Sequence, residues 1–422
     1  MKLDIRKKYS VFDIMILLTM IMLFALKNIS VIAVYGWLLP AVLILVGYIQ
    51  SKGWTISKNS LVFIVPYLAF LALCFASYLW AADKTIVVSQ CYQMLRVYAG
   101  VCIFSVIILK LEDIEKLLHM FYITGVITLV HLFIRTPLSV WKDCLYGEYS
   151  ASTDEGRLGY SIGYHPNGLG RLCVLIMMLS VFYYSKTKKK RYFLIAAVDL
   201  FVLAFTKSRA SILMLVVGVV VYLLTSERKM GKKTIFIVCL AVSALVLYWM
   251  VFNVPTLYRL VGFRFDGALG GGGNRDASTE TRVSFILYAL KLFSEHPLIG
   301  VGIDNFKFYS YTFNNAYKEV YSHSNWAELL SCTGIIGTIL FYLPQIASAV
   351  SLFRSLKKFD ENRRRLCALF FSVLFTNIIY DFVSMSYDQM LVLLPTCLAI
   401  EGAYFLKHSV KNMPFDDKKE RV

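Results

Sequence analysis

The chain has 422 residues, of which 58% are hydrophobic and only 17% charged, and its 44 Lys and Arg against 27 Asp and Glu give a formal net charge of +17. Apolar runs of membrane-spanning length recur from end to end, which excludes an ordinary soluble domain and makes nucleic acid an unfit partner for the basic charge. A helix of ~20 residues crosses the ~30 Å hydrocarbon layer, and lipid offers backbone groups no partner outside a helix or a closed barrel. Barrel strands would be shorter and alternating, so the expected fold class is all-α: one polytopic integral membrane domain over 1–422.

About twelve spans are predicted. In chain order they cover 11–26, 30–50, 60–80, 88–109, 117–134, 168–185, 192–206, 209–225, 234–252, 326–353, 366–383 and 389–406. The first follows Arg6, Lys7 and Lys8 but has no small-x-small cleavage site after it, so it reads as an uncleaved helix. An N-in, C-in arrangement puts the strongly basic segments on the cytoplasmic side: Lys186 to Arg191, Arg228 to Lys233, Arg354 through Arg365, and the C-terminal tail. That distribution obeys the positive-inside rule, so most of the charge is a topology signal, with some attraction to anionic lipid heads. The nine cysteines form no C-x-x-C pair, so neither a metal site nor a disulfide framework is indicated.

Two long external loops result, one over 135–167 and one over 253–325. Near the end of the first, Gly163-Tyr164-His165-Pro166-Asn167 leads into the sixth span. Asn167 suits a helix cap there, and Arg171 would sit one turn inside. His165 reads equally as structural or as substrate-contacting. In the second loop, the Gly270–Gly273 run precedes Thr279, which suits the cap of an amphipathic helix with Glu280 in its first turn and Val283, Ile286, Leu290 and Phe293 on one apolar face. His296-Pro297 should end that helix.

External cations breach the charge rule and need a reason. Thr206-Lys207-Ser208-Arg209-Ala210-Ser211 forms a tight external turn, and Arg282 opens the amphipathic helix. A guanidinium is a permanently charged planar fork suited to phosphate oxygens. His323, in Ser322-His323-Ser324-Asn325 just before re-entry into the membrane, titrates near neutral pH when unperturbed. Arg96 and Asp199 lie deep in spans, where charges are costly and usually paired or functional, so an internal ion pair between them is one reading.

Taken together, these motifs resemble the O-antigen ligase and O-antigen polymerase superfamily of bacterial envelope polysaccharide enzymes. The matching pieces are Thr206–Ser211; Arg282 with its helix; His296-Pro297-Leu298-Ile299-Gly300-Val301-Gly302 with Asn305-Phe306; Ser322–Asn325 with Glu328 and Gly334; and the His165-Pro166-Asn167 entry to a middle span. Their order and spacing cover about Gly159–Leu352. The resemblance implies a multi-span glycosyltransferase of the cytoplasmic membrane, working at its outer face without metal or cofactor. Its donor would be a glycan on undecaprenyl diphosphate, and its acceptor another glycan or lipid-linked chain. A chain-length regulator and a flippase are implied as partners, with membrane lipids around the protein. By position, Arg209 and Arg282 would grip the diphosphate and His323 would assist the acceptor hydroxyl. Lys207, Arg171, His165, Asn167 and Asn325 would contact substrate. The compact motif loop favours a polymerase, with a ligase acting on a terminal acceptor such as lipid A-core as the alternative. A transporter or flippase is the rival of another class. Against it, Ser51–Ser57 lacks the Gly-x-x-x-Asp-Arg loop of major-facilitator carriers, and the longest loop is external and late.

Overall fold

The structure is a computed structural model that describes residues 10–29, 38–52, 56–146, 156–227, 248–258, 277–313 and 320–411, with isolated positions at 31, 36, 231, 234 and 262. The Gly270–Gly273 run, the basic N-terminal and C-terminal segments and most of the expected span over 234–252 lie outside the described residues.

Helix dominates the described residues, and no strand occurs among them. Helix α1 (Val11–Met20) runs into a π turn at Ile21–Ala25. Then come α2 (Leu38–Lys52), α3 (Lys58–Ala76), α4 (Lys84–Val106) and α5 (Leu111–Arg135). A short α6 (Leu138–Tyr146) lies within the loop expected over 135–167. The series continues with α7 (Pro166–Thr187), α8 (Lys190–Phe205) and α9 (Arg209–Ser226). The late loop carries α10 (Ala277–Glu295) and α11 (Phe306–Phe313), and the chain closes with α12 (Asn325–Ser355), α13 (Glu361–Tyr380) and α14 (Met390–Lys411). Among the described residues, seven helices are long and apolar enough to cross a membrane. Side-chain caps set many of the starts: Ser10 and Asp13 form a capping box, and Asp83, Ser208, Ser324 and Asp360 each accept a backbone N–H.

The most enclosed spans are α14 and α7, with 78% and 72% of their apolar windows buried, against 22% for α9, so α7 and α14 form the centre. Helix α7 packs on α8 and α9, α9 on α13, and α12 on α3, α13 and α14. Outward-facing Leu61, Val65 and Leu68 on α3 and Leu343, Ile346 and Val350 on α12 are exposed, as lipid-facing positions should be. Polar contacts mark the two ends of the bundle. At one, Lys116 pairs with Asp13 and Lys186 with Glu115, and the Arg364 guanidinium donates to Ser226 O. This is the end that bears the basic loops. The opposite end holds the turns after α3, α8 and α13 and the start of α12.

Two expectations about the amphipathic helix need correction. It begins at Ala277, two residues before the Thr279 expected to cap it. Its buried stripe is Phe285, Ala289 and Leu292, whereas Val283 and Leu290 are exposed. Helix α10 is apolar on more than one face, so spacing alone did not single out the stripe that packs against Val301, Phe306, Ala327 and Cys332. It does end at Glu295, just before His296-Pro297.

Candidate active site

The His-Pro-Leu-Ile-Gly-Val-Gly segment is a backbone clasp. Helix α12 breaks at Gly334, which adopts φ 64° and ψ −167°. Into that break the segment lays four hydrogen bonds: Val301 N to Ser331 O and Gly302 N to Cys332 O, both 2.9 Å, then Ile335 N to Pro297 O at 2.9 Å and Ile336 N to Leu298 O at 3.2 Å. The two chains touch backbone to backbone. A Cβ on Gly300 would lie 2.3 Å from the Cys332 carbonyl carbon, and one on Gly334 would lie 2.3 Å from that of Leu298. The far side of the segment is tied to the α3–α4 turn. Trp80 Nε1 donates to Gly300 O (3.1 Å), Ile303 N to Ser77 Oγ (3.1 Å), and the Asn305 amide exchanges two bonds with the Asp83 backbone (2.8 and 3.0 Å). So held, Asp304 and Lys307 stand on the wall of a cavity.

That cavity measures about 560 Å³, within the usual size range of ligand pockets. Its cations are Lys27, Arg96, Arg171 and Lys307, and its carboxylates are Asp304 and Asp388. His165 and Asn167 are on the wall too. His165, rather than Asn167, caps α7: its Nδ1 accepts the Asn167 N–H at 3.2 Å, while Asn167 Oδ1 takes a bond from Arg157 (2.7 Å). Arg157, which sequence reasoning passed over, also donates to Thr206 O, tying the entry of α7 to the α8–α9 turn. Asp388 accepts from Gln90 (3.0 Å) and Gln93 (2.8 Å). Burial lowers the Lys27 pKa, with Asp388 pulling it back, and Lys27 lies over the Tyr164 ring.

Arg171 is buried and paired with Asp381 at 3.4 Å, and its guanidinium lies 4.1 Å from the Tyr380 ring centroid. Asp381 also accepts from Tyr342 (3.0 Å) and Ser386 (2.7 Å). Asn325 belongs to the same frame. Its amide donates to Tyr342 and accepts from the backbone N–H groups of Ser386 and Tyr387, so the protein occupies the groups that substrate was expected to meet. Replacing Asp381 with Ala leaves the Arg171 charge buried without its partner, and the expected cost is about 3–5 kcal/mol. Thermal unfolding of the purified variant in detergent measures it; the further change Arg171→Met should recover much of the loss, and no recovery would contradict the pairing.

His323 is presented by the loop ahead of α12. Glu328, fully buried, accepts the Ser322 N–H at 2.8 Å, and Ser322 Oγ donates to Ser324 O. Between them His323 takes a left-handed backbone, φ 62°. Lys207 (φ 50°) and Asp304 (φ 58°) do the same, and such conformations in non-glycine residues collect at functional sites. The His323 ring lies 4.3 Å from that of Tyr321 and 6.3 Å from that of Phe285. Burial lowers its pKa to about 4, and the charges of Arg282 and His165 push the same way. The charges of Arg282 and His165 thus both act on His323, and His165 is also on the cavity wall. Helix α10 supplies Arg282, the clasped loop supplies His323, and the cap of α7 supplies His165.

The Thr206–Ser208 turn joins α8 to α9 as expected, with Ser208 as the cap and Arg209 the first residue of α9. Arg209 and Lys207 are not on the cavity wall. Lys207 is buried, and its charge acts on Cys144 of α6. Arg96 faces the cavity over the Tyr92 ring, and no ion pair joins it to Asp199, which is fully buried.

Residues 192–342 match the family model described as O-antigen ligase. Over that stretch the chain is similar to the O-antigen ligase and polymerase superfamily, in agreement with the sequence motifs. No curated protein matches it. The matched stretch runs from α8 into α12 and contains Lys207, Arg209, Arg282, the clasp, His323 and Asn325; His165, Asn167 and Arg171 lie before it. The match supports an enzyme of polysaccharide assembly, and the long apolar helices support a membrane protein. Several cavity residues escaped sequence reasoning: Lys27, Gln90, Gln93, Asp304, Lys307 and Asp388. Asp304 alone stood inside a recognised motif, between Gly302 and Asn305.

Proposed function

We propose that this chain is a metal-independent glycosyltransferase that polymerises undecaprenyl-diphosphate-linked oligosaccharide repeats at the outer face of the bacterial cytoplasmic membrane. The observation that carries this reading is the cavity lined by Lys27, Arg96, Arg171, Lys307 and His165 next to the family-matched stretch, which holds Arg282 and His323, whose charges interact. As the anomeric C–O bond breaks, negative charge gathers on the leaving diphosphate. Fixed guanidinium groups stabilise that charge best where water is excluded. Arg282 serves this role, with Arg209 at the head of α9 as its partner; His165, Asn167 and Arg171 border the bound glycan. Holding donor and acceptor together supplies much of the remaining rate. The basic loops at the far end of the bundle favour a cytoplasmic placement for that end, which turns the cavity outward.

Deleting the protein tests the reading in cells. Lipid-linked single repeats should accumulate at the outer face and long surface polysaccharide should vanish, both reversed by the intact gene. Accumulation at the inner face would indicate a flippase instead. Long chains retained on lipid but missing from their terminal acceptor would indicate the ligase.

A further inference from the structure

We infer that Asp304 receives the proton of the acceptor hydroxyl, with Tyr387 beside it orienting that hydroxyl, so that this wall of the cavity is the acceptor-sugar site. The inference rests on the glycosyl-transfer reading and assigns to Asp304 the proton that sequence reasoning gave to His323.

Three observations support it. Asp304 lies on the cavity wall, only 3% exposed. One carboxylate oxygen pairs with Lys307, while Oδ1 has no hydrogen-bond partner among the described residues. The Tyr387 hydroxyl, also on the wall and fully buried, acts on the same carboxyl as a hydrogen-bond donor and closes no other hydrogen bond among the described residues. A donor and an acceptor that face each other on a cavity wall can admit a sugar hydroxyl between them, since such a hydroxyl is donor and acceptor at once. Third, Asp304 is fixed. Its left-handed backbone sits between Ile303, bonded to Ser77, and Asn305, bonded twice to Asp83. His323 is placed less well for this task, because it is off the cavity wall between aromatic rings and beside Arg282.

The titration agrees. Burial raises the Asp304 pKa to about 6, with Lys307 pulling it back, so the carboxylate is a stronger base near neutral pH than His323 at about 4. The other groups bearing on this carboxyl are Asp388 and Tyr387 from the α13–α14 turn and Glu328 from α12. Across the cavity stand Lys27, Arg96, Arg171 and His165. In the step, the acceptor oxygen attacks the donor's anomeric carbon and its proton passes to Asp304 Oδ1. The anomeric C–O bond breaks, and its electron pair leaves on the undecaprenyl diphosphate. Asp304 then releases the proton to water.

The test uses purified full-length protein and lipid-linked repeats isolated from a strain lacking it. Asp304→Asn should slow chain extension by about 100-fold or more, while inhibition by undecaprenyl diphosphate stays within about threefold of wild type. Asp304→Glu should recover part of the rate. In Lys307→Met the acidic limb of the pH profile of extension should move upward, whatever the maximal rate, because the charge restraining Asp304 is gone; a purely structural ion pair would not move that limb. Extension by Asp304→Asn within about threefold of wild type would overturn the inference and leave the glycosyltransferase reading intact. So would an unmoved acidic limb in Lys307→Met, which decides the matter if Asp304→Asn fails to fold. No extension by wild type would overturn both.

Discussion

Replacing Arg282 with alanine is expected to cut polymer formation by about 100-fold or more, the usual loss when one fixed donor to a developing anion is removed. The protein itself should survive. Helix α10 is held by Phe285, Ala289 and Leu292, which remain, and Arg282 is outside that buried stripe. The His323 ring should also become easier to protonate, since one of the cations lowering its pKa is lost. Arg282→Lys should restore only part of the activity, because an ammonium keeps the charge but loses the two-pronged geometry. Surface polysaccharide resolved by gel, with membrane abundance measured by immunoblot, checks both halves. Normal chain length in Arg282→Ala would remove the diphosphate role; a large fall in abundance would show that the residue is structural.

The clasp predicts the largest stability effect. Gly300→Ala or Gly334→Ala places a Cβ 2.3 Å from a backbone carbonyl carbon, at positions with φ 66° and 64°. Backbone cannot step aside as a side-chain tip can, so strain and overpacking together should cost about 3 kcal/mol or more. The break in α12 would open, and with it the loop that carries Asp304, Lys307 and His323. Unfolding temperature in detergent and extension rate should fall together. Gly47→Ala serves as the control, because its new Cβ meets only the Phe12 ring at 3.7 Å. Equal stability of Gly300→Ala and Gly47→Ala would mean that the clasp is not what holds the site.

The helices were legible because lipid leaves an apolar run little choice. Spans such as Lys84–Val106 and Asn325–Ser355 lie within a few residues of their expected bounds. Arg96 was also legible, as an intramembrane charge needing a reason, and it does stand on the cavity wall. The face of α10 was not, because its apolar residues surround the helix and the partner decides which stripe is buried. Nor was the role of Gly300, whose reason lies in the Cys332–Thr333 backbone, more than thirty residues later and folded back on it. The bonding of Asn325 was hidden for a similar cause. Its motif pointed to substrate, but the groups that engage its side chain sit on Tyr342, Ser386 and Tyr387. Lys27, Gln90 and Asp388 each look like ordinary polar residues in sequence, and only the bundle gathers them around one cavity.

The most direct test of the account is to incubate the purified protein, in the presence of EDTA, with lipid-linked repeats and to separate the products by chain length. Glycosyl transfer from the diphosphate at this cavity predicts a ladder of longer lipid-linked chains and one undecaprenyl diphosphate released per bond formed. Unchanged repeats, moved across a bilayer when the protein is reconstituted in vesicles, would contradict it.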